Sequence, residues 1–259
     1  MAPSSWICST SDPLPRERSP MNQPATSIRL RLIACLALLM PLGAQADGMV
    51  PETSVIIVQE ADGEASVSVS NTDAELALLH VTLEDIPEDR AALLFVTPPL
   101  ARVEPSKSQL VRFILQTKEP LTTQRLKRVI FEGMPQGRQP AEAGHARVGV
   151  TVRQNLPVII NPKGLAPNRT PWKGLKWSLQ SGSLHVQNHT PYVVRLAQEL
   201  LLIPGDHKVM LPRTYVLPGE TLQVPAPGIV ASSVRLQPAT VYGFAVDAYE
   251  TPLEAAPTT

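Results

Sequence analysis

The chain has 259 residues, of which 43% are hydrophobic and 18% are charged, and its formal net charge is zero at pH 7. This length and apolar content allow one large core or two of about 100 residues each, the commonest domain size. The 14 Gly and 27 Pro follow no period and aromatic residues make up only 4%, which excludes collagen-like and prion-like chains. The balanced charge gives no sign of bulk attraction to nucleic acid.

The N-terminal region predicts a secretory signal peptide in residues 1–46. Arg29 and Arg31 precede an apolar run over residues 32–40, and Ala-Gln-Ala at 44–46 supplies a small-residue cleavage site. This run is much shorter than the roughly 20 residues that a membrane-spanning helix needs. We therefore expect export to the periplasm of a Gram-negative cell without insertion into a membrane. Residues 1–20 are polar and rich in Ser and Pro, so Met21 is a candidate for the true start.

Both cysteines, Cys8 and Cys35, precede the expected cleavage site. Residues 32–35 resemble a lipobox, but a lipobox ends the apolar run and Cys35 lies inside it, so we expect a cleaved signal rather than a lipid anchor. The mature chain would hold 19 basic and 21 acidic residues and no cysteine. It could then form neither disulfides nor thiol-based catalytic sites.

Short β-strands are predicted along the whole mature chain. Runs of four to eight Val, Ile, Leu and Thr alternate with clusters of Gly, Pro, Asn and Asp, the pattern of an all-β sandwich. The first series of candidate strands covers residues 54–58, 65–69, 76–83, 93–96, 110–115, 125–132 and 148–160. Residues 75–83 and 196–203 are apolar enough for helix turns, but they are short and rich in β-branched neighbours, which favours strands.

A cluster of Pro, Gly and Asn at 161–168 reads as a linker between two bodies. We therefore expect an N-terminal domain over residues 47–162 and a C-terminal domain over 163–259. The second series of candidate strands covers residues 177–179, 183–188, 193–202, 207–210, 214–217, 221–224 and 241–247. No internal sequence repeat links the two halves.

Motifs for catalysis or cofactor binding are missing from the sequence. The five histidines form no H-E-x-x-H pattern, and neither G-x-S-x-G nor a phosphate-binding glycine loop occurs. His185 and His189 are four residues apart, but on an alternating strand they would not share a metal. We expect no enzyme, no metal site and no cofactor.

Three passages resemble the PapD-like periplasmic chaperones of the chaperone-usher pathway, with the divergent alternate or archaic branch as the nearest likeness. They are Val96-Thr-Pro-Pro-Leu-Ala-Arg-Val-Glu-Pro-Ser-Lys-Ser-Gln-Leu-Val-Arg112, Val148-Gly-Val-Thr-Val-Arg-Gln-Asn-Leu-Pro-Val-Ile-Ile-Asn-Pro162 and Val186-Gln-Asn-His-Thr-Pro-Tyr-Val-Val194. The resemblance implies two immunoglobulin-like β-sandwich domains in an angled, boomerang arrangement. It also implies a protein that caps pilin or fimbrial subunits and delivers them to an outer-membrane usher. This chaperone-pilin system is itself an example of strand addition to an open sheet.

The resemblance places the subunit-binding donor strand at Val148, Val150 and Val152. Their two-residue spacing puts all three side chains on one face of a strand. Burying a Val side chain contributes about 1.5 to 3 kcal/mol, so three would supply about 5 to 9 kcal/mol before ordering costs are subtracted. The other interpretation is that these valines fill the core of their own domain.

Family members hold the carboxylate of the subunit's C-terminus with two basic residues, and here the pattern departs. The corresponding positions fall on Ser54 and Pro157, neither of which carries a charge. The resemblance to the alternate branch makes Arg128 the best anchor candidate, with Lys127 or Arg125 as substitutes. The alternative is that these three residues form a solvated charged edge.

The interdomain salt bridge of the family is altered as well, since its Arg and Glu positions fall on Asn161 and Gly133. Residues 136–144 are small and polar, as expected of a flexible connector before the closing strand.

A second functional hypothesis stays open, because β-sandwiches host many functions. The chain would then be a periplasmic immunoglobulin-like structural or adhesive module without pilin capture.

Overall fold

A computed structural model describes residues 48–135 and 151–254. The expected signal peptide, both cysteines and the polar connector at 136–144 lie outside the described residues. Across the part that is described, the chain is all-β apart from one 3-10 turn at Pro171–Gly174. The predicted fold class of two immunoglobulin-like sandwiches is confirmed.

The N-terminal sandwich consists of two facing sheets. One has four strands in the order β1-β3-β7-β5 and the other has five in the order β2-β9-β8-β4-β6. All neighbouring strands are antiparallel except β2 and β9, which are parallel. The strands are β1 (Met49–Pro51), β2 (Ile56–Gln59), β3 (Glu64–Asn71), β4 (Ala77–Glu84), β5 (Leu94–Thr97), β6 (Leu100–Val103), β7 (Ser108–Leu115), β8 (Arg125–Pro135) and β9 (Arg153–Asn161).

The core of this sandwich follows from strict alternation along its strands. On β3 the even-numbered residues are exposed or half-buried while Val67 and Val69 are buried, because successive side chains point to opposite faces of a sheet. Phe113 of β7 and Phe131 of β8 meet edge to face across the sandwich, with ring centroids 6.4 Å apart. Both rings are fully buried, and they join the two sheets.

The C-terminal sandwich contains ten shorter strands in three sheets, ordered β10-β11-β16, β15-β12-β18 and β14-β13-β17-β19. Its core centres on Trp177 and Leu200, both buried. The strands are β10 (Leu175–Gln180), β11 (Ser183–Asn188), β12 (Val194–Leu196), β13 (Glu199–Ile203), β14 (His207–Met210), β15 (Tyr215–Val216), β16 (Thr221–Pro225), β17 (Ser233–Leu236), β18 (Pro238–Ala239) and β19 (Tyr249–Pro252).

One predicted strand of this sandwich, at residues 241–247, is wrong. The chain there turns around Gly243, whose N–H donates to the carbonyl of Thr240 and whose φ is +86°. Tyr242 and Phe244 are exposed, so the apolar composition that suggested a strand does not reflect burial. β17, which pairs with β13 on the side away from β14, was not predicted. Its four residues are too short to show a clear period.

In each sandwich, one strand ends at a buried asparagine, and the two asparagines make the same set of hydrogen bonds. Asn71 and Asn188 are both buried, and each side-chain amide donates to the carbonyl four residues ahead and to a distant strand. Each Oδ1 accepts the N–H two residues ahead. The backbone carbonyls of the two asparagines accept the N–H of Ser106 and of Gly219 respectively. The two halves therefore share a structural repeat that their sequences do not reveal.

Ser106 and Gly219 occupy matching positions with φ of +57° and +73°, a backbone conformation that costs a side chain about 1 kcal/mol or more. We expect Ser106→Gly to raise the free energy of unfolding by up to about 1 kcal/mol. We expect Gly219→Ser to lower it by about 1 kcal/mol, because no atom crowds a Cβ there and only the backbone term changes. Urea denaturation of both variants checks this. Changes of the same sign would contradict it.

An apolar cluster joins the two sandwiches. Leu126 of β8 and Ile159 of β9 are directly paired and pack with Val193 of the C-terminal sandwich, and all three are buried. Tyr215 and Val241 add partly buried surface from the C-terminal side. The face of β8 and β9 that carries Leu126 and Ile159 is thus the face that meets the second sandwich.

Candidate functional site

The N-terminal half of β9 is an open sheet edge within the described residues. On one side, β8 pairs with β9 from Arg153 to Ile160. On the other side, β2 pairs only with Val158 to Asn161. Residues 153–157 therefore have a strand neighbour on one side only. Backbone groups along such an edge can pair with an added strand.

The proposed donor segment directly precedes this open edge in the sequence. Val148 and Val150 lie outside the described residues, so the structure leaves their role as a prediction. Val152 is 40% exposed and precedes the first residue of β9. Its Cβ lies 3.9 Å from the position that a Cβ on Gly48 would occupy, next to the start of β1.

Two of the three candidate anchor residues lie in an ion-pair cluster with Asp89. Lys127 is only 3% exposed, and its Nζ lies 2.7 Å from Asp85 Oδ1 and 3.2 Å from Asp89 Oδ1. Arg125 donates from Nε to Asp89 Oδ2 at 2.6 Å and pairs with the other carboxylate oxygen as well. Burial alone would raise the pKa of Asp89, but the hydrogen bonds from Arg125 and Ala91 and the charge of Lys127 hold it below its ordinary value.

The third candidate, Arg128, has no carboxylate within ion-pairing distance among the described residues. Its Nε donates to Asn155 Oδ1 and its Nη2 to the Asn155 backbone carbonyl, both at 2.7 Å. Asn155 belongs to the open part of β9. Burial lowers the pKa of Arg128, while the nearby Tyr215 and Glu84 act in the opposite direction. Arg128 is therefore a partly desolvated cation held at the open edge.

The two uncharged positions that the family fills with basic residues, Ser54 and Pro157, both lie at the junction with the C-terminal sandwich. Arg128 and Pro157 are direct cross-strand partners, and such partners share a face of the sheet. That is the face with Leu126 and Ile159, toward the C-terminal sandwich. Ser54 lies at the same junction, since its Oγ donates to the carbonyl of Tyr242 at 3.1 Å. The charge missing at Pro157 is thus present one strand away.

A buried amide takes part in the interdomain contact at the altered salt-bridge position. Gln124 accepts the N–H of Val193 at 2.9 Å, donates its backbone N–H to Pro191 and donates its side-chain amide to Asn161 at 3.0 Å. Sequence reasoning missed Gln124, because nothing local marks a glutamine whose partners lie 37 and 69 residues away.

Ionic contacts also join the sandwiches. Glu88 of the N-terminal sandwich lies 2.8 Å from Arg213 Nη1 and accepts the Tyr215 hydroxyl at 3.0 Å. Arg213 also pairs with Glu220 and lies over the Tyr215 ring, 4.8 Å from its centroid. Burial, and then the hydrogen bond to Glu88, raise the pKa of Tyr215 to about 12. Tyr215 is therefore a neutral hydrogen-bond donor at physiological pH.

Residues 48–135 and 151–254 contain no group of three or more His, Cys, Asp or Glu side chains that could hold a metal ion. In the same residues no helix has the length and apolarity to cross a membrane.

Two family models match consecutive parts of the chain. The description of the first is "Pili and flagellar-assembly chaperone, PapD N-terminal domain", and it matches residues 48–166. The second, "Pili assembly chaperone PapD, C-terminal domain", matches residues 170–249. The chain belongs to the PapD family of pili-assembly chaperones. It is a member of a periplasmic, non-enzymatic family.

Relatives of this PapD-family chaperone include two curated bacterial proteins. The chain is 39% identical to the "Uncharacterized fimbrial chaperone YhcA" of Escherichia coli K12 over 210 residues, which cover 81% of this chain and 92% of the relative. It is 33% identical to "Chaperone protein FimB/FhaD" of Bordetella pertussis over 190 residues, covering 63% of this chain and 70% of the relative.

Solved structures with the same fold include the chaperone in "Salmonella enterica SafA pilin in complex with the SafB chaperone". That match has a TM-score of 0.66 at 19% identity and covers 81% of this chain and 98% of the other. The Pseudomonas aeruginosa CupB2 chaperone matches with a TM-score of 0.62 at 21% identity, over 79% of this chain and all of the other. At these identities the likeness shows the fold alone. The resemblance inferred from the sequence motifs is confirmed by the family matches.

Proposed function

We propose that this chaperone caps pilin or fimbrial subunits in the periplasm by donating a strand to them, and that it passes them to an outer-membrane usher. The observation that carries the proposal is the open edge at residues 153–157 of β9. In the sequence, this edge is directly preceded by the alternating valines at 148, 150 and 152. A main-chain edge gives affinity, and alternate side chains that fill pockets give specificity.

The alternation of side chains along β9 predicts which residues of the donated segment would face the subunit. Leu156, Val158 and Ile160 all pack into the core of the N-terminal sandwich. Since residues two apart share a face of a strand, a donated strand that continued β9 with the same alternation would carry Val152, Val150 and Val148 on this face. Val152 is 40% exposed whereas Val158 and Ile160 are fully buried, so the N-terminal sandwich covers this face less completely toward the start of β9. An acceptor groove in a subunit would bury what this sandwich leaves uncovered.

The length of the open edge also determines where an added strand must stop. From Val158 onward this side of β9 is already paired with β2, beginning with Ile56, so an added strand cannot extend past Pro157. Arg128 is the cross-strand partner of Pro157 and supplies a positive charge there. A positive charge favours a C-terminal carboxylate over an N-terminal amine. The subunit strand would therefore run parallel to β9 and end at Arg128.

Of the three anchor candidates, the contacts favour Arg128. Lys127 and Arg125 are already paired with Asp89, and recruiting either for a subunit would break a buried ion pair. Arg128 holds only neutral amide and carbonyl oxygens of Asn155, which an incoming carboxylate can replace with a gain in charge-assisted hydrogen bonding.

Co-expression with a candidate subunit in the periplasm tests the proposal. The subunit gene would come from the chromosomal neighbourhood of the chaperone gene, and the pair would be purified by a tag on the chaperone. We expect a one-to-one complex by size-exclusion chromatography with light scattering, and we expect outer membranes that contain the usher to retain it. Recovery of the chaperone alone, with the subunit degraded as it is without the chaperone, would favour a structural or adhesive module instead.

A further inference from the structure

We infer that Arg195, on the C-terminal sandwich, forms the second half of the carboxylate site, so that the end of a bound subunit is held between Arg128 and Arg195. This inference rests on the proposed function and names a residue that no sequence motif marks. It makes the site a shared one, with one cation from each sandwich.

The placement of Arg195 follows from its strand. Arg195 of β12 is the direct cross-strand partner of Tyr215, so the two side chains share a face of that sheet. Tyr215 packs into the apolar cluster between the sandwiches and its hydroxyl donates to Glu88 of the N-terminal sandwich. Arg195 therefore faces the junction between the sandwiches rather than the outer surface of the C-terminal one.

Backbone contacts hold the Arg195 guanidinium beside the loop that touches Ser54. Its Nη1 donates to the carbonyl of Val241 at 3.2 Å, and the same atom lies 3.1 Å from the position that a Cβ on Gly243 would occupy. Tyr242, between these two residues, accepts the hydroxyl of Ser54. Ser54, at the family's first basic position, is uncharged. Arg195 from the C-terminal sandwich lies against the loop that contacts Ser54.

The charge of Arg128 reaches Arg195. Burial, and then the positive charge of Arg128, lower the pKa of Arg195. In the described parts of the chain neither guanidinium has a carboxylate within ion-pairing distance, although most other arginines there do. Two partly desolvated cations that repel each other gain from an anion placed between them. A single carboxylate, with two oxygens, can accept hydrogen bonds from both.

Arginine side-chain NMR with sodium acetate as the probe tests the shared site without any subunit. The Nε–Hε signals of the periplasmically purified protein would be followed while acetate replaces chloride at constant ionic strength. We expect the signals of Arg128 and Arg195 to move along one isotherm. In Arg195→Gln the dissociation constant reported by Arg128 should rise about tenfold, in line with the loss of a charged hydrogen bond. Arg195→Lys should retain most of the affinity.

Arg235→Gln is the matched control. It removes an arginine of the same sandwich that pairs with Glu250 on the outside, and the acetate isotherm should not change. Amide spectra establish that each variant is folded. An Arg195 signal that stays fixed while Arg128 responds would overturn the inference, as would an unchanged dissociation constant in Arg195→Gln.

Subunit capture separates this inference from the proposed function. If the wild-type chain captures a subunit and Arg195→Gln captures it with unchanged affinity, strand donation stands and the shared anchor is wrong. If the wild-type chain captures no subunit while both arginines bind acetate together, the anion site stands and the chaperone role is wrong.

Discussion

Replacing Asp89 with Ala should lower the free energy of unfolding by about 3 kcal/mol, because removing one partner of a buried ion pair leaves the other charge desolvated and uncompensated. Asp89 is 8% exposed and is the shared partner of Arg125 and Lys127. Lys127 would keep the half-exposed carboxylate of Asp85 and the backbone carbonyl of residue 89, which places the effect at the lower end for buried pairs. Chemical denaturation followed by circular dichroism measures it.

Glu250→Ala is the matched control for this prediction. Glu250 also pairs with an arginine and a neighbouring hydroxyl, but on the surface. Exposed ion pairs contribute little to stability because water and salt screen them, so this variant should unfold almost as the wild type does. Equal losses in the two variants would show that the Asp89 cluster contributes no more than a surface pair.

The effect of Asp89 should depend on pH in a fixed direction. Its pKa is lower in the folded protein than the ordinary value of 3.8, so the unfolded chain binds a proton more readily. The stabilisation is therefore fully present above about pH 5, where the unfolded carboxyl is ionised as well, and disappears as the pH falls through the lowered folded value. The wild type and Asp89→Ala should differ by a constant amount from pH 7 to about 5 and converge below that range. A difference that grows on acidification would contradict this sign.

Replacing Val150 with Arg should abolish subunit capture. A cation in an apolar groove loses its hydration without gaining a partner, which costs several kcal/mol and corresponds to a loss of affinity of about 1,000-fold or more. Capture would be measured by co-purification and by the dissociation rate of the purified complex. The free chaperone should keep its stability, because the proposed role of Val150 lies in the complex.

Thr151→Arg is the matched control on the other face of the same segment. It adds the same side chain one position away, where an alternating strand points out of the acceptor groove. Capture should survive this change with an affinity within a few-fold of the wild type. Loss of capture in both variants would point to a general effect of charge, and retention in both would exclude the donor-strand assignment.

The strands with clear alternation were predictable from the sequence. Val67 and Val69 are buried on β3 as their period indicated. The expected strand at 193–202 is interrupted by Ala197 and Gln198, which lie between β12 and β13. Residues 241–247 were mistaken for a strand because composition reports apolar content but not pairing partners. β17, at Ser233–Leu236, was missed because its four residues are too few to show a hydrophobic period.

The site was less accessible to sequence reasoning, for a physical reason. Asp89 meets Arg125 across 36 residues of chain, and no local pattern distinguishes Arg125 or Lys127 from the unpaired Arg128. The register that pairs Arg128 with Pro157 explains how a charge can move one strand away from its usual position. Arg195 lies on a three-residue strand and becomes a candidate only when its cross-strand partner Tyr215 is known.

Amide hydrogen exchange of residues 148–157, in the free chaperone and in its complex with a subunit, tests strand donation most directly. A donated strand forms backbone hydrogen bonds along the edge that β2 leaves open, so exchange should slow by orders of magnitude on binding at those amides that point to this edge rather than to β8. Protection should end at Pro157, because Val158 and the residues after it already pair with β2. A stable complex in which residues 148–157 exchange as fast as they do in the free protein would contradict strand donation.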